Sequence, residues 1–282
     1  MKKLIITADD YGMSKGVNEA IDAGIACGLI TSTNVMTNME YYREAEKLRK
    51  SDVSVGLHWT LSAGKPVLSP QEIPTLVDRE GNFFPYAEFR SRYRKKRISD
   101  EDIVKELKAQ YNRFVAVCGE PDYWNTHQNT HVDFRIFRLF VKTAKELGIC
   151  KMRSHQRIYI PGSSNSRKRS LKWRLAEPIK SRILRLWQHR ATREGMCAPD
   201  GVAVCLNKSD LSNLDYVFSH IQWRKSQIAE YVIHPAVSND SPYFGSLVKQ
   251  RITEWEQFTS DKTLAQIKSN QIELVNFSTI QN

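Results

Sequence analysis

Two rhythms of apolar and polar positions run through the chain. The unbroken run Leu4-Ile5-Ile6-Thr7-Ala8, rich in β-branched residues and followed by the turn that Gly12 permits, predicts a strand over residues 3 to 8. Ser14 then caps a helix in which Val17, Ile21 and Ile25 recur every four residues as far as Gly28. A second strand is predicted from Thr31 to Thr37, a short helix from Glu44 to Arg49, and an alternating strand from Val53 to Trp59. Residues 62–98, with prolines at 66, 70, 74 and 85, read as a long loop. Ser99 begins a helix whose Ile103, Leu107, Tyr111, Phe114 and Val115 keep one face apolar up to Gly119. Beyond it the pattern predicts a strand from Pro121 to Thr126, a helix from Phe134 to Leu147, and a short strand from Cys150 to Arg153. A clearer strand follows from Ala229 to Ile233, then a helix from Leu247 to Phe258 and a closing strand from Ile272 to Val275. Strands alternating with helices argue for parallel pairing in an open or barrel-like α/β fold.

Chemistry-bearing residues fall at the ends of these strands. Asp9 and Asp10 follow the first, His58 lies at the far end of the third, His127 follows Thr126, and His234 follows Ile233. In α/β folds the C-terminal strand edge is where sites are built, and closure into a barrel would bring all five to one rim. Two histidines and an aspartate with an open coordination position form a familiar divalent-metal site able to hold a reactive water. His127 and His131, four residues apart, offer a rival ligand pair if they share a helix face. The adjacent carboxylates are poor candidates for glycoside hydrolysis, because neighbours on a strand point to opposite faces.

Four motifs stand in order along the chain: Thr7-Ala8-Asp9-Asp10-Tyr11-Gly12-Met13-Ser14 with Asn18; Gly56-Leu57-His58-Trp59-Thr60-Leu61 with Gly64-Lys65-Pro66; Thr126-His127-Gln128-Asn129-Thr130-His131; and Ile233-His234-Pro235-Ala236. Together they resemble the motifs of the YdjC-like (ChbG-type) carbohydrate deacetylases. The resemblance implies a single deacetylase-like domain over residues 1–282, an irregular TIM-like (β/α) barrel with fewer than eight regular strands. It also implies a divalent ion, magnesium in the family, and removal of the N-acetyl group from an amino sugar or short chitooligosaccharide. Ligand type alone would also suit zinc. Carried over residue by residue, the likeness makes Asp10, His58 and His127 the metal ligands, Asp9 the general base and His234 the general acid. Arg153 would orient Asp9 or a sugar hydroxyl, and His131 would contact substrate or support the ligands. Tyr11 and Trp59 flank the ligands and would be placed to stack on a sugar ring. The chain departs from the family at Asn129, where the middle histidine of a His-x-His-x-His run is usual, which bears on the substrate contacts. Two alternatives stand beside this reading: a metal-dependent amidase or esterase on a non-sugar substrate, and a non-catalytic sugar-binding or interaction protein on the same barrel.

Composition narrows the setting. The apolar run after Lys2-Lys3 ends at Asp9, too short for a secretory core, and no stretch approaches the ~20 apolar residues of a membrane helix, so a cytoplasmic enzyme is expected. The irregular spacing of Cys27, Cys118, Cys150, Cys197 and Cys205 predicts reduced thiols. The family likeness implies a homodimer. Of the formal charge of +11, +9 resides in residues 166–193, which hold ten Lys or Arg against Glu177 alone. Within this basic insertion, at about 163–195, Ser163 to Ser166 reads as a flexible lead. Leu171, Leu175, Ile179, Ile183 and Trp187 then recur every four residues, with Pro178 as an interruption. Packing of that stripe on the barrel or on a second subunit is the favoured reading, ahead of a membrane surface or an anionic polymer. Nucleic acid is not an expected partner, since only charge speaks for it.

Overall fold

The computed structural model describes residues 2–132, 134–161, 171–205, 211–223 and 228–281. Strand β1 (Lys2–Tyr11) is the axis of the sheet: it pairs in parallel with β2 (Ser32–Val35) on one side and β7 (Ile228–Ile233) on the other. Flanked on both sides, it is buried continuously from Leu4 onward, which is why its sequence shows a run and not an alternation. The path continues through β3 (Ser54–Trp59) to β4 (Trp124–Thr126) at one end and through β6 (Gly201–Cys205) to β5 (Arg157–Ile160) at the other, giving the order β4-β3-β2-β1-β7-β6-β5. All these pairings are parallel, and the three-residue β8 (Ile272–Leu274) joins the start of β1 off this path. The segment predicted as a strand at Cys150 to Arg153 forms only isolated bridges, Trp124 with Met152 and Lys151 with Cys197. Those bridges carry the sheet from β4 round toward β6, so it curls into an irregular TIM-like barrel.

Helices pack outside the curled sheet. Ser14 Oγ accepts from Val17 N at the start of α1 (Lys15–Ala26), and Ser99 Oγ accepts from Glu101 N at the start of α3 (Asp100–Cys118). The predicted loop at 62–98 instead contains α2 (Tyr86–Arg94), which seats Phe89 and Tyr93 in the core. Two apolar residues among arginines left no periodic stripe for the sequence to show. α4 (Phe134–Glu146) follows the expected span, whereas α6 (Leu214–Ser219), α8 (Asp261–Ser269), β5 and β6 lie where the sequence pattern predicts no element. α5 (Leu171–Arg193) runs straight through Pro178, which removes one backbone donor without ending the helix. The expected lead at Ser163 to Ser166 lies outside the described residues. None of the five cysteines is in a disulfide.

Along β1 the sides alternate. Leu4, Ile6 and Ala8 join the main apolar cluster under the helices, while Ile5 joins Tyr123 and Phe277 inside the barrel, where those two rings stack with centroids 3.6 Å apart. A Cβ on Gly56 would lie 2.5 Å from the Tyr123 ring, so β3 needs glycine here for the ring to close the barrel floor.

Candidate active site and metal centre

Above that floor, polar residues replace apolar ones. By strand alternation Asp9 points into the barrel and Asp10 should point out. Asp10, however, has φ +75°, and the pairing of β1 with β2 shifts register between Ala8 and Tyr11. This irregularity turns both carboxylates toward one mouth, at a local cost that aspartate tolerates better than most residues. Tyr11 then faces outward, fully buried, with its hydroxyl on Asp22.

Asp10 Oδ1 meets two imidazoles, His127 Nδ1 at 3.0 Å and His58 Nε2 at 3.3 Å. One ligand atom from each of Asp10, His58 and His127 lies within 4.8 Å of the others, and all three residues are buried. The second Asp10 oxygen, Oδ2, accepts from Arg251 Nη2 at 2.5 Å. His58 Nδ1 is paired with the side chain of Asn125, and the rings of His58 and His127 sit edge to face at 5.5 Å. The donor set suits a divalent ion: two nitrogens and a carboxylate oxygen converge, and His127 Nε2 is buried with no hydrogen-bond partner.

Asp9 is held differently. Arg153 clamps it in bidentate fashion, Nη2 to Oδ1 at 2.6 Å and Nη1 to Oδ2 at 2.7 Å, while Asn34 Nδ2 donates to Oδ1 at 2.6 Å. Arg153 Nε in turn donates to the fully buried Glu230 at 3.0 Å. His234 Nε2 stands 3.7 Å from Asp9 Oδ2, and its side chain, 29% exposed, is the most accessible of the five. The His234 backbone N donates to Glu254 Oε2 at 2.7 Å. A cavity of about 380 Å³ opens here, lined by Asp9, Asn129, His131, Arg153, His155 and His234 among others.

Burial alone would push both carboxyls up. For Asp9 the Arg153 guanidinium, helped by His58 and His234, overrides it, and for Asp10 Arg251 and His127 do the same, so both stay well below the usual carboxylate range. For Glu230 burial wins over Arg153 and the carboxyl is raised. Burial drives the His155 imidazole down to about 3, and burial together with His155 and Arg153 drives His131 well below its ordinary value. These two rings lie edge to face at 4.5 Å, both neutral.

The sequence expectations sort accordingly. Asp9, Asp10, His58, His127 and His234 come together, and Arg153 orients Asp9. The rival His127–His131 pair does not form: Gln128 and Asn129 adopt φ of 54° and 52°, breaking the helical register, and His131 Nδ1 turns back to Thr126 Oγ1. Asn129 and His131 both line the cavity. Trp59 and Tyr11 do not. Trp59 is fully buried against Trp124 and Phe140, with Nε1 donating to Leu107 O, so neither aromatic is placed to stack on a sugar. Asn34, Asn125, Glu230, Glu254, His155 and Arg251 were not foreseen. Arg251 lies on α7 (Val248–Phe258), where an arginine in an amphipathic helix reads as surface charge.

Known proteins agree with this architecture. A carbohydrate deacetylase of Brevibacillus brevis is 29% identical over 281 residues, 98% of each chain. A chitooligosaccharide deacetylase of Salmonella typhi is 30% identical over 250 residues, covering 82% of this chain and 96% of its own. A crystal structure from Enterococcus faecalis V583, provisionally described as a cellobiose-phosphate cleavage protein, has the same fold, with a TM-score of 0.73 and 24% identity over 99% of this chain and 98% of its own. The model of the YdjC-like protein family matches residues 3–269, and the chain belongs to that family.

Proposed function

We propose that the protein is a metal-dependent hydrolase that removes the acetyl group from an N-acetylated amino sugar or short chitooligosaccharide. The observation that carries this reading is the buried Asp10–His58–His127 group set beside the Asp9–His234 pair at one cavity. The names of its relatives point the same way.

Asp10, His58 and His127 would hold the ion. When bound, it raises the acidity of a water and draws charge from the acetamide carbonyl. Asp9 accepts the proton lost by that water. Arg153 with Asn34 holds its oxygens in place and keeps the carboxyl ionised, the form that can accept a proton. His234 Nε2 gives a proton to the departing amine nitrogen, a poor leaving group until protonated. One amide and one water yield acetate and a free amine. Two imidazoles and one carboxylate suit zinc-type ions, and the family likeness implies magnesium, so both belong in the test.

Acetate release from N-acetylglucosamine, its phosphate and chitooligosaccharides, measured on chelator-treated enzyme resupplied with single divalent ions, tests the reading. Release with at least one ion, and none after chelation, is expected. Sugar binding without acetate under any ion contradicts it in favour of a binding protein.

A further inference from the structure

Helix α5 is amphipathic twice over. Its inner side is committed to the fold: Leu184, Gln188 and Ala191 are buried, Trp187 stacks on Phe137 with centroids 6.2 Å apart, and Gln188 Oε1 accepts from the His155 backbone. Of the stripe expected to pack on the barrel or on a second subunit, Trp187 packs on the barrel, whereas Ile179 and Ile183 lie on the other side of the helix. There Ile179, Ile183 and Leu186 are 64%, 41% and 63% exposed, at the i, i+4, i+7 spacing that makes one stripe. Among the described residues the remaining large hydrophobic of comparable exposure is Tyr243, at 40%. At about 100° per residue, Arg182 and Arg193 fall within about 60° of Ile179 around the helix, with Arg185 beyond them. All three arginines are exposed, and no Asp or Glu lies between Pro178 and Arg193.

Whatever covers this face must be apolar enough for the stripe and anionic enough for the arginines. A second copy of the same face would set like charges against each other. A soluble polyanion would leave the isoleucines and leucine in water. The interface of an anionic bilayer satisfies both demands, with side chains in the acyl boundary and guanidinium groups among phosphates. We infer that the outer face of α5 docks the protein on an anionic lipid surface, lying in its plane. Among the described residues no helix is long and apolar enough to cross a membrane. Leu184, on the inner side, lines the cavity that holds Asp9 and His234, so docking would place that cavity about one helix diameter, roughly 10 Å, from the headgroups.

Co-sedimentation of the full-length protein with phosphatidylcholine vesicles, and with vesicles containing about 30% phosphatidylglycerol, tests the inference. Binding about tenfold or more stronger to the anionic vesicles is expected, weakening as salt rises from about 0.05 to about 0.5 M. Ile179→Ser/Ile183→Ser/Leu186→Ser should reduce that binding about tenfold or more, and Arg182→Gln/Arg185→Gln/Arg193→Gln should abolish the preference for anionic lipid, both with unaltered far-UV circular dichroism. Should the serine variant misfold, the glutamine variant decides alone. Equal sedimentation with both vesicles, or undiminished binding by the folded variants, overturns the inference. So does a dimer that the serine changes dissolve, or heparin retention without vesicle binding.

Discussion

Asp10 is constrained through its backbone and through both carboxylate oxygens. Its φ of +75° turns it into the barrel, its Oδ1 faces two histidines, and its Oδ2 is paired with Arg251, itself 2% exposed. Removing one partner of a buried pair leaves an uncompensated charge, which typically costs about 3–5 kcal/mol. Arg251→Met should therefore lower the stability of the metal-free protein by about 3 kcal/mol and weaken divalent-ion affinity by about 10–100-fold, the usual effect of losing a group that positions a ligand. Calorimetric ion titration and urea unfolding would show it, and unchanged affinity would mean that Asp10 holds its place without the arginine. Asp9→Asn should separate the roles: ion affinity close to wild type, with acetate release down by about 10²–10⁴-fold. Loss of the ion along with activity would place Asp9 among the ligands.

Single elements set these residues. α7 contributes Arg251 to Asp10 and Glu254 to the His234 backbone from one turn of helix, so it braces both halves of the site. On β3, Gly56 admits the Tyr123 ring, and Gly56→Ala should destabilise the protein by about 1–3 kcal/mol through overpacking of the barrel floor. A thermal midpoint equal to wild type would show that the ring can yield. The five central residues were legible because each lies at or just past the C-terminal end of a strand whose pattern stands in the sequence. Their partners were not: Arg251 and Glu254 sit in a helix, Asn34 within a short strand, and Asn125 and Glu230 beside or inside strands whose inner faces only the barrel defines. The turning of Asp10 was hidden for the same kind of reason, since nothing in Thr7-Ala8-Asp9-Asp10 marks a register shift. β5 and β6, four and five residues long, were too short for a period to show, and the α5 stripe was visible while the side it faces was not.

At the scale of the whole molecule, buried neutral histidines tie stability to pH. The His155 imidazole falls from 6.5 to about 3 on folding, and His131 also falls well below its ordinary value. The unfolded chain therefore binds protons that the folded chain refuses. The contribution of these histidines is full above pH 6.5 and is lost as pH falls below it, by up to about 1.4 kcal/mol per pH unit for His155 down to about pH 3. His155→Phe should flatten the fall in urea midpoint between pH 6.5 and 4, whereas an unchanged slope would assign acid sensitivity to other groups. The central claim concerns the union of distant residues around one cation. Anomalous diffraction from crystals grown with manganese tests it most directly. A peak bonded to Asp10, His58 and His127, beside the cavity that holds Asp9 and His234, is expected, and an ion found elsewhere, or none at saturating metal, would contradict it.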